Sequence, residues 1–181
     1  MARITKYIIE GLDRLGKSTL IDGIRQSAGY FEVIHYDKPQ RLDFYEGDLR
    51  KYQEDCFDSM FSIMNSHARV IFDRAHLGEC VYSPLYRGYS GDYVFDLERQ
   101  NYIDILTDVR LILLTENFDI SQHFVDDGLS FDPKARREEQ ELFLKAFHKS
   151  NIKDKRIVCV THEMTGKFKD KQRILKECIE D

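Results

Sequence analysis

Nine residues near the N-terminus restrict what this chain can fold into more than any other feature. Gly11-Leu12-Asp13-Arg14-Leu15-Gly16-Lys17-Ser18-Thr19 satisfies G-x-x-x-x-G-K-[ST], and it stands between an apolar run, Tyr7-Ile8-Ile9, and a segment of helical period, Ser18 to Ser27. With average residue frequencies such a match arises by accident in a chain of this length on the order of one time in a hundred, before the flanking strand and helix are required. Gly11 and Gly16 let the backbone turn its N–H groups inward, so that the loop and the positive helix end cradle phosphate oxygens. The residues expected at the phosphates are Gly11, Leu15, Gly16, Lys17, Ser18 and Thr19, with Lys17 bridging the β- and γ-phosphates. The Ser18 hydroxyl is placed for Mg²⁺, which shares octahedral oxygen ligation between protein, water and phosphate. ATP or GTP with magnesium is implied.

The rest of the chain repeats the strand-then-helix pattern. Apolar runs at Tyr7–Ile9, Phe31–Ile34, Val70–Phe72, Val109–Leu114 and Ile157–Val160 are short, β-branched or aromatic, and lack polar alternation, as strands covered on both faces do. Between them lie segments of helical period: Ser18–Ser27, Phe44–Asn65, Asp92–Leu106, Lys134–Lys149 and Phe168–Ile179. The expectation is an α/β fold of three layers, about five parallel strands with helices on both faces, formed by residues 1–181 as one domain. Pro39, Pro84 and Pro133 are expected between elements or at helix starts. The least regular stretch, Asp119 to Arg137, reads as a flap or a surface connection.

Charge and cysteines exclude other classes. With 27 Lys+Arg against 32 Asp+Glu the formal net charge is −5, which disfavours wrapping of nucleic acid as the main task. Cys56, Cys80, Cys159 and Cys178 form no C-x-x-C pair and lie in or near apolar stretches, which points to a reducing, cytoplasmic setting. No apolar run approaches the roughly 20 residues of a membrane span.

A phosphate loop alone does not say where the γ-phosphate goes. A GTPase should show N-K-x-D after a strand, and the residues after Leu114 are Thr115-Glu116-Asn117-Phe118. Inside the loop, Asp13 would repel phosphate unless aimed at a hydroxyl or an amine.

The extended loop, Glu10-Gly11-Leu12-Asp13-Arg14-Leu15-Gly16-Lys17-Ser18-Thr19, resembles that of thymidylate kinases, E-G-x-D-x-x-G-K-[ST]. Asp73-Arg74, closing the third strand, resembles that family's D-R pair, and Tyr82 stands nine residues after Asp73, where the family carries an aromatic. The resemblance implies ATP-dependent conversion of dTMP to dTDP with Mg²⁺, small-molecule nucleotides as partners, and a homodimer. It assigns Asp13 to the acceptor's 3′-hydroxyl, Arg74 to its 5′-phosphate, Tyr82 to C2′ of the sugar, and Arg14, with Lys17, to the transferring phosphoryl group. Lys38 or Arg41 would also serve the acceptor phosphate, and Phe57 and Phe61 would offer the base an aromatic face, although their spacing equally fits core packing. A short lid over about 126–137 would carry Arg136 and Arg137, the latter also read as an i, i+4 partner of Glu141. Asp73 would hold magnesium through water or orient Arg74.

The chain departs from that family at Ala75, at Glu79, where relatives place an amide or a threonine near the base, and along Tyr82–Tyr89. Glu79 is read either as a base contact that could admit dGMP or dCMP, or as a partner of Arg74 or Arg87. Two other functions compete. One is a deoxynucleoside or polynucleotide 5′-hydroxyl kinase with Asp73 or Glu10 as general base; the other is a regulatory module that holds ATP without transferring it.

Overall fold

The computed structural model describes residues 3–36, 48–117 and 133–180. Five strands, β1 (Lys6–Gly11), β2 (Glu32–His35), β3 (Val70–Asp73), β4 (Val109–Thr115) and β5 (Asp154–Cys159), form one all-parallel sheet in the order β2-β3-β1-β4-β5. Every position of β1, β3 and β4 is buried, so both faces of the sheet centre are covered. That coverage is why these strands read as unbroken apolar runs.

Six helices supply the cover: α1 (Lys17–Ala28), α2 (Leu49–Met64), α3 (Leu77–Tyr86), α4 (Tyr93–Gln100), α5 (Pro133–Lys149) and α6 (Lys171–Ile179). Helix α1 buries Lys17, Leu20, Ile21 and Ile24, a stripe at i, i+3, i+4 and i+7, and packs with α6, where Leu175 lies against Gly23. Helices α3, α4 and α5 pack with one another, and α2 packs on α4. This is the expected α/β architecture, a five-stranded parallel sheet covered by helices.

Several expectations are corrected. Helix α3 was not anticipated as a helix, and Pro84 lies inside it rather than between elements. The helix expected over Lys134–Lys149 is α5, which begins at Pro133, and Arg136 is buried in it. The segment Asp92–Leu106 divides into α4 and a short 3₁₀ turn, Ile103–Ile105, with Tyr102 in the left-handed conformation between them (φ 53°). Helix α2 starts at Leu49 because the Asp48 side chain accepts the Lys51 N–H at 2.9 Å. Lys38, Arg41 and the lid positions 126–132 lie outside the described residues.

Candidate active site

Strand order places the candidate site. From β1 the chain runs to the edge strand β2, returns inward to β3 and then crosses β1 to reach β4 and β5, so the crevice beyond the C-terminal ends of β3, β1 and β4 is the topological switch point, where ligands bind in open α/β sheets. Three connections meet there: the P-loop after β1, Asp73-Arg74 at the end of β3, and Glu116-Asn117 after β4.

The P-loop has the expected backbone. Gly11 has φ 129°, and a Cβ there would stand 2.4 Å from the Leu114 carbonyl oxygen of β4, so no side chain fits. Gly16 caps α1 in the left-handed conformation, φ 83°. Leu12 and Leu15 are buried and anchor the loop to the core, so Leu15 has only its backbone to offer a phosphate. Ser18 and Thr19 are exposed in the first turn of α1. The Lys17 ammonium is folded onto the loop's own carbonyls, donating to Gly11 O at 2.9 Å and Leu12 O at 2.7 Å, with Asp13 at 3.8 Å. Its burial lowers its pKa, and Asp13 opposes that effect.

Arg74 donates to the Asp13 carboxylate at 2.5 Å. The two motifs named from the sequence thus meet across the β1–β3 seam. Partial burial raises the Asp13 pKa, but Arg74, Lys17 and Arg136 more than offset it and hold the carboxyl below its ordinary value. Both Arg14 (φ 67°) and Arg74 (φ 61°) are in the left-handed region, unusual for non-glycine residues and frequent at functional sites. Behind Arg74, Asp73 is register partner to His35 and accepts His35 Nδ1–H at 2.9 Å through Oδ2, while its buried Oδ1 has no hydrogen-bond partner.

The remaining residues divide. Tyr82 is largely buried between Tyr86, stacked at 6.3 Å, and Phe143, edge-on at 6.0 Å. Burial raises its pKa, and the negative charge of Glu139 adds to that rise. Glu79 is fully engaged elsewhere: Arg87 donates to it at 2.6 Å, Tyr89 at 2.7 Å and Tyr93 at 3.0 Å. Its partner is therefore Arg87, and its oxygens are not presented to a base. Phe57 and Phe61 are core side chains at 3% and 0% exposure, Phe61 lying edge-on to His76, so neither presents a ring face in this arrangement. Arg137 is exposed on α5.

Arg136 is bound to the loop rather than to a lid. It donates to Glu116 at 2.8 Å and to the Asp13 carbonyl at 2.9 Å. Gln140 completes the link by accepting the Glu116 N–H at 2.8 Å and donating to the Glu116 carbonyl at 3.0 Å. Glu116 was overlooked in the sequence because an acidic residue after a strand carries no local sign of its partner. His76 and Glu98 were overlooked for the same reason. Both are fully buried, with His76 Nε2 at 2.8 Å from Glu98, which also accepts Ser150 Oγ–H at 2.6 Å and the Asn151 N–H at 2.7 Å.

No protein-family profile and no curated sequence matches the chain. Among solved structures, Bacillus subtilis YorR in complex with phosphorylated GDP is similar with a TM-score of 0.67 at 16% identity, covering 97% of this chain and 94% of that one. A gluconokinase from Sinorhizobium meliloti gives 0.55 at 13% identity with coverages of 98% and 91%, and Candida albicans thymidylate kinase 0.54 at 16% identity with coverages of 98% and 90%. A deoxyadenosine kinase from M. mycoides gives 0.51 at 19% identity and 94% of each chain. At these identities the likeness establishes the fold, and that fold is the one the P-loop kinases share.

Proposed function

We propose that the chain is an ATP-dependent deoxynucleoside monophosphate kinase, with dTMP its first acceptor and dTDP the product. One observation carries this reading: a second cation, Arg74, held by the P-loop's own carboxylate at the switch point, in addition to the loop's Lys17. Transfer between two polyanions needs positive charge at both phosphates and in-line placement, with little covalent work for the protein. An acceptor phosphate oxygen attacks the γ-phosphorus, the bond to the β,γ-bridging oxygen breaks, and ADP leaves. In this reading Lys17 and Arg14 neutralise the transferring group, Arg74 holds the acceptor phosphate with a planar fork, and Asp13 accepts the sugar 3′-hydroxyl.

Magnesium fits this site. Asp73 Oδ1 is buried without a partner and Ser18 is exposed in the first turn of α1, so these two residues would hold the ion directly or through water. When bound, it would neutralise charge on the β- and γ-phosphate oxygens.

A second reading, a deoxynucleoside 5′-hydroxyl kinase, is favoured by the same unpartnered oxygen, because a hydroxyl acceptor needs a base and Asp73 could serve. One experiment separates them: labelled nucleosides and monophosphates offered with ATP and Mg²⁺. The expected outcome is turnover of dTMP above thymidine, with Arg74→Ala lowering kcat/KM for the monophosphate by about 100-fold or more. Faster turnover of thymidine would install the second reading.

The sugar gives a further expectation. In this reading Tyr82 lies against C2′ of the sugar and leaves no room for another hydroxyl there. dUMP should therefore exceed UMP in kcat/KM by at least about tenfold. Equal values would remove Tyr82 from the site.

A further inference from the structure

Glu10 is a buried carboxylate in contact with the turn after Asp73–Arg74 that the proposed chemistry leaves without a task. It is 1% exposed on β1, and its Oε1 is turned to backbone amides rather than to the crevice. Its Oε1 accepts two backbone N–H groups, those of Ala75 and Leu77, both at 3.0 Å. Leu77 is the first residue of α3, and the N-cap residue His76 provides no side-chain cap, so the carboxylate of a distant strand does what a local cap would ordinarily do.

Those two amides lie directly after the residue that matters. Arg74 is left-handed, a conformation that persists only where its surroundings dictate it. Its own N–H is accepted by the Ile9 carbonyl at 3.0 Å, its guanidinium by Asp13, and the next amides by Glu10, so β1 and its loop grip the turn at four points. His76, between the Glu10-bound residues, is held from the other side by Glu98.

We infer that Glu10 is a positioning residue: by holding the Ala75 and Leu77 amides it fixes the left-handed turn that aims Arg74 across the P-loop at the acceptor. What matters is then the reach of an acceptor oxygen, not a negative charge or a transferable proton. The part that concerns the acceptor rests on the monophosphate-kinase reading; the part that concerns the turn does not.

Two variants oppose reach to charge. Glu10→Gln keeps an oxygen at the same distance from the backbone and cannot exchange a proton, whereas Glu10→Asp keeps the charge and withdraws the oxygen by one methylene. Amide hydrogen exchange at Ala75 and Leu77, which needs no substrate, is expected to remain protected in Glu10→Gln and to accelerate at least about tenfold in Glu10→Asp. In steady-state kinetics the acceptor KM is expected to rise at least about tenfold in Glu10→Asp and less than about threefold in Glu10→Gln, with the KM for ATP moving little in either. The reverse order, with Glu10→Gln the poorer enzyme or an altered pH profile for kcat in that variant alone, would overturn the inference in favour of a base. Equal loss for ATP and acceptor would overturn it in favour of a P-loop role. Should Glu10→Asp not fold, Glu10→Gln decides alone, since loss of protection there contradicts the proposal and retention supports it. A wild-type enzyme that phosphorylates no monophosphate would refute the functional reading, and the exchange comparison would still test the turn.

Discussion

Replacing Arg14 with alanine is expected to lower kcat by about 100-fold or more while the KM for ATP changes by less than about threefold. Charge develops on the transferring phosphoryl group as its bonds lengthen, so a cation aimed there is worth more in the transition state than in the bound substrate. Arg14 is the loop's second basic residue beside Lys17, whose ammonium lies on the loop carbonyls. The backbone needs a control, because position 14 is left-handed at φ 67° and alanine there retains a strain of about 1 kcal/mol that glycine does not have. Arg14→Gly should therefore lose as much kcat as Arg14→Ala if the guanidinium is what matters. If both stay within about threefold of wild type, the donor-side cation lies elsewhere.

The second large effect concerns stability. Glu98→Ala is expected to cost about 3–5 kcal/mol, because it strands a fully buried His76, the Ser150 hydroxyl and the Asn151 amide at once. For a chain of this size that corresponds to a fall in Tm of roughly 10 °C, measurable by thermal unfolding. Glu98→Gln keeps an acceptor and should cost less. The pH dependence has a definite sign. Burial raises the Glu98 pKa, but His76 and the hydrogen bonds from Asn151 and Ser150 outweigh it and hold the carboxyl below its ordinary value of 4.5. A depressed carboxylate contributes fully above its unfolded pKa and loses that contribution as pH falls through the folded one. The wild-type Tm should thus drop below about pH 4.5 more steeply than that of Glu98→Gln. Parallel curves would show that Glu98 does not carry the acid sensitivity.

What could be read in the sequence was what is local. β1, β3 and β4 were visible because strands buried on both faces have no polar alternation, and the P-loop because its residues are consecutive. Helix α3 was not, since Leu77-Gly78-Glu79-Cys80-Val81-Tyr82-Ser83-Pro84 contains glycine, serine and proline, all poor helix formers. Its first amide is satisfied by Glu10 from 67 positions away, a partner that periodicity cannot reveal. The partners of Arg136, Glu116 and the Asp13 carbonyl, are hidden from the sequence for a similar reason: they become neighbours only when α5 docks. For Glu79 the sequence offers Arg74 or Arg87 as ion-pair partner, and the structure selects Arg87.

The strand order also governs how this chain can emerge from a ribosome. β1 is made first but occupies the middle of the sheet, with β3 on one side and β4 on the other, and Lys6 meets its second neighbour only at Val109. At about 5–20 residues per second, roughly 5–20 s pass between synthesis of the central strand and arrival of that neighbour. Throughout the interval one edge of Tyr7-Ile8-Ile9 has no native strand to pair with, and the P-loop hangs from an unfinished sheet. Any nascent chain that stops short of β4 is therefore a phosphate loop on an open, apolar edge, the kind of surface that holdase chaperones cover and that other chains extend.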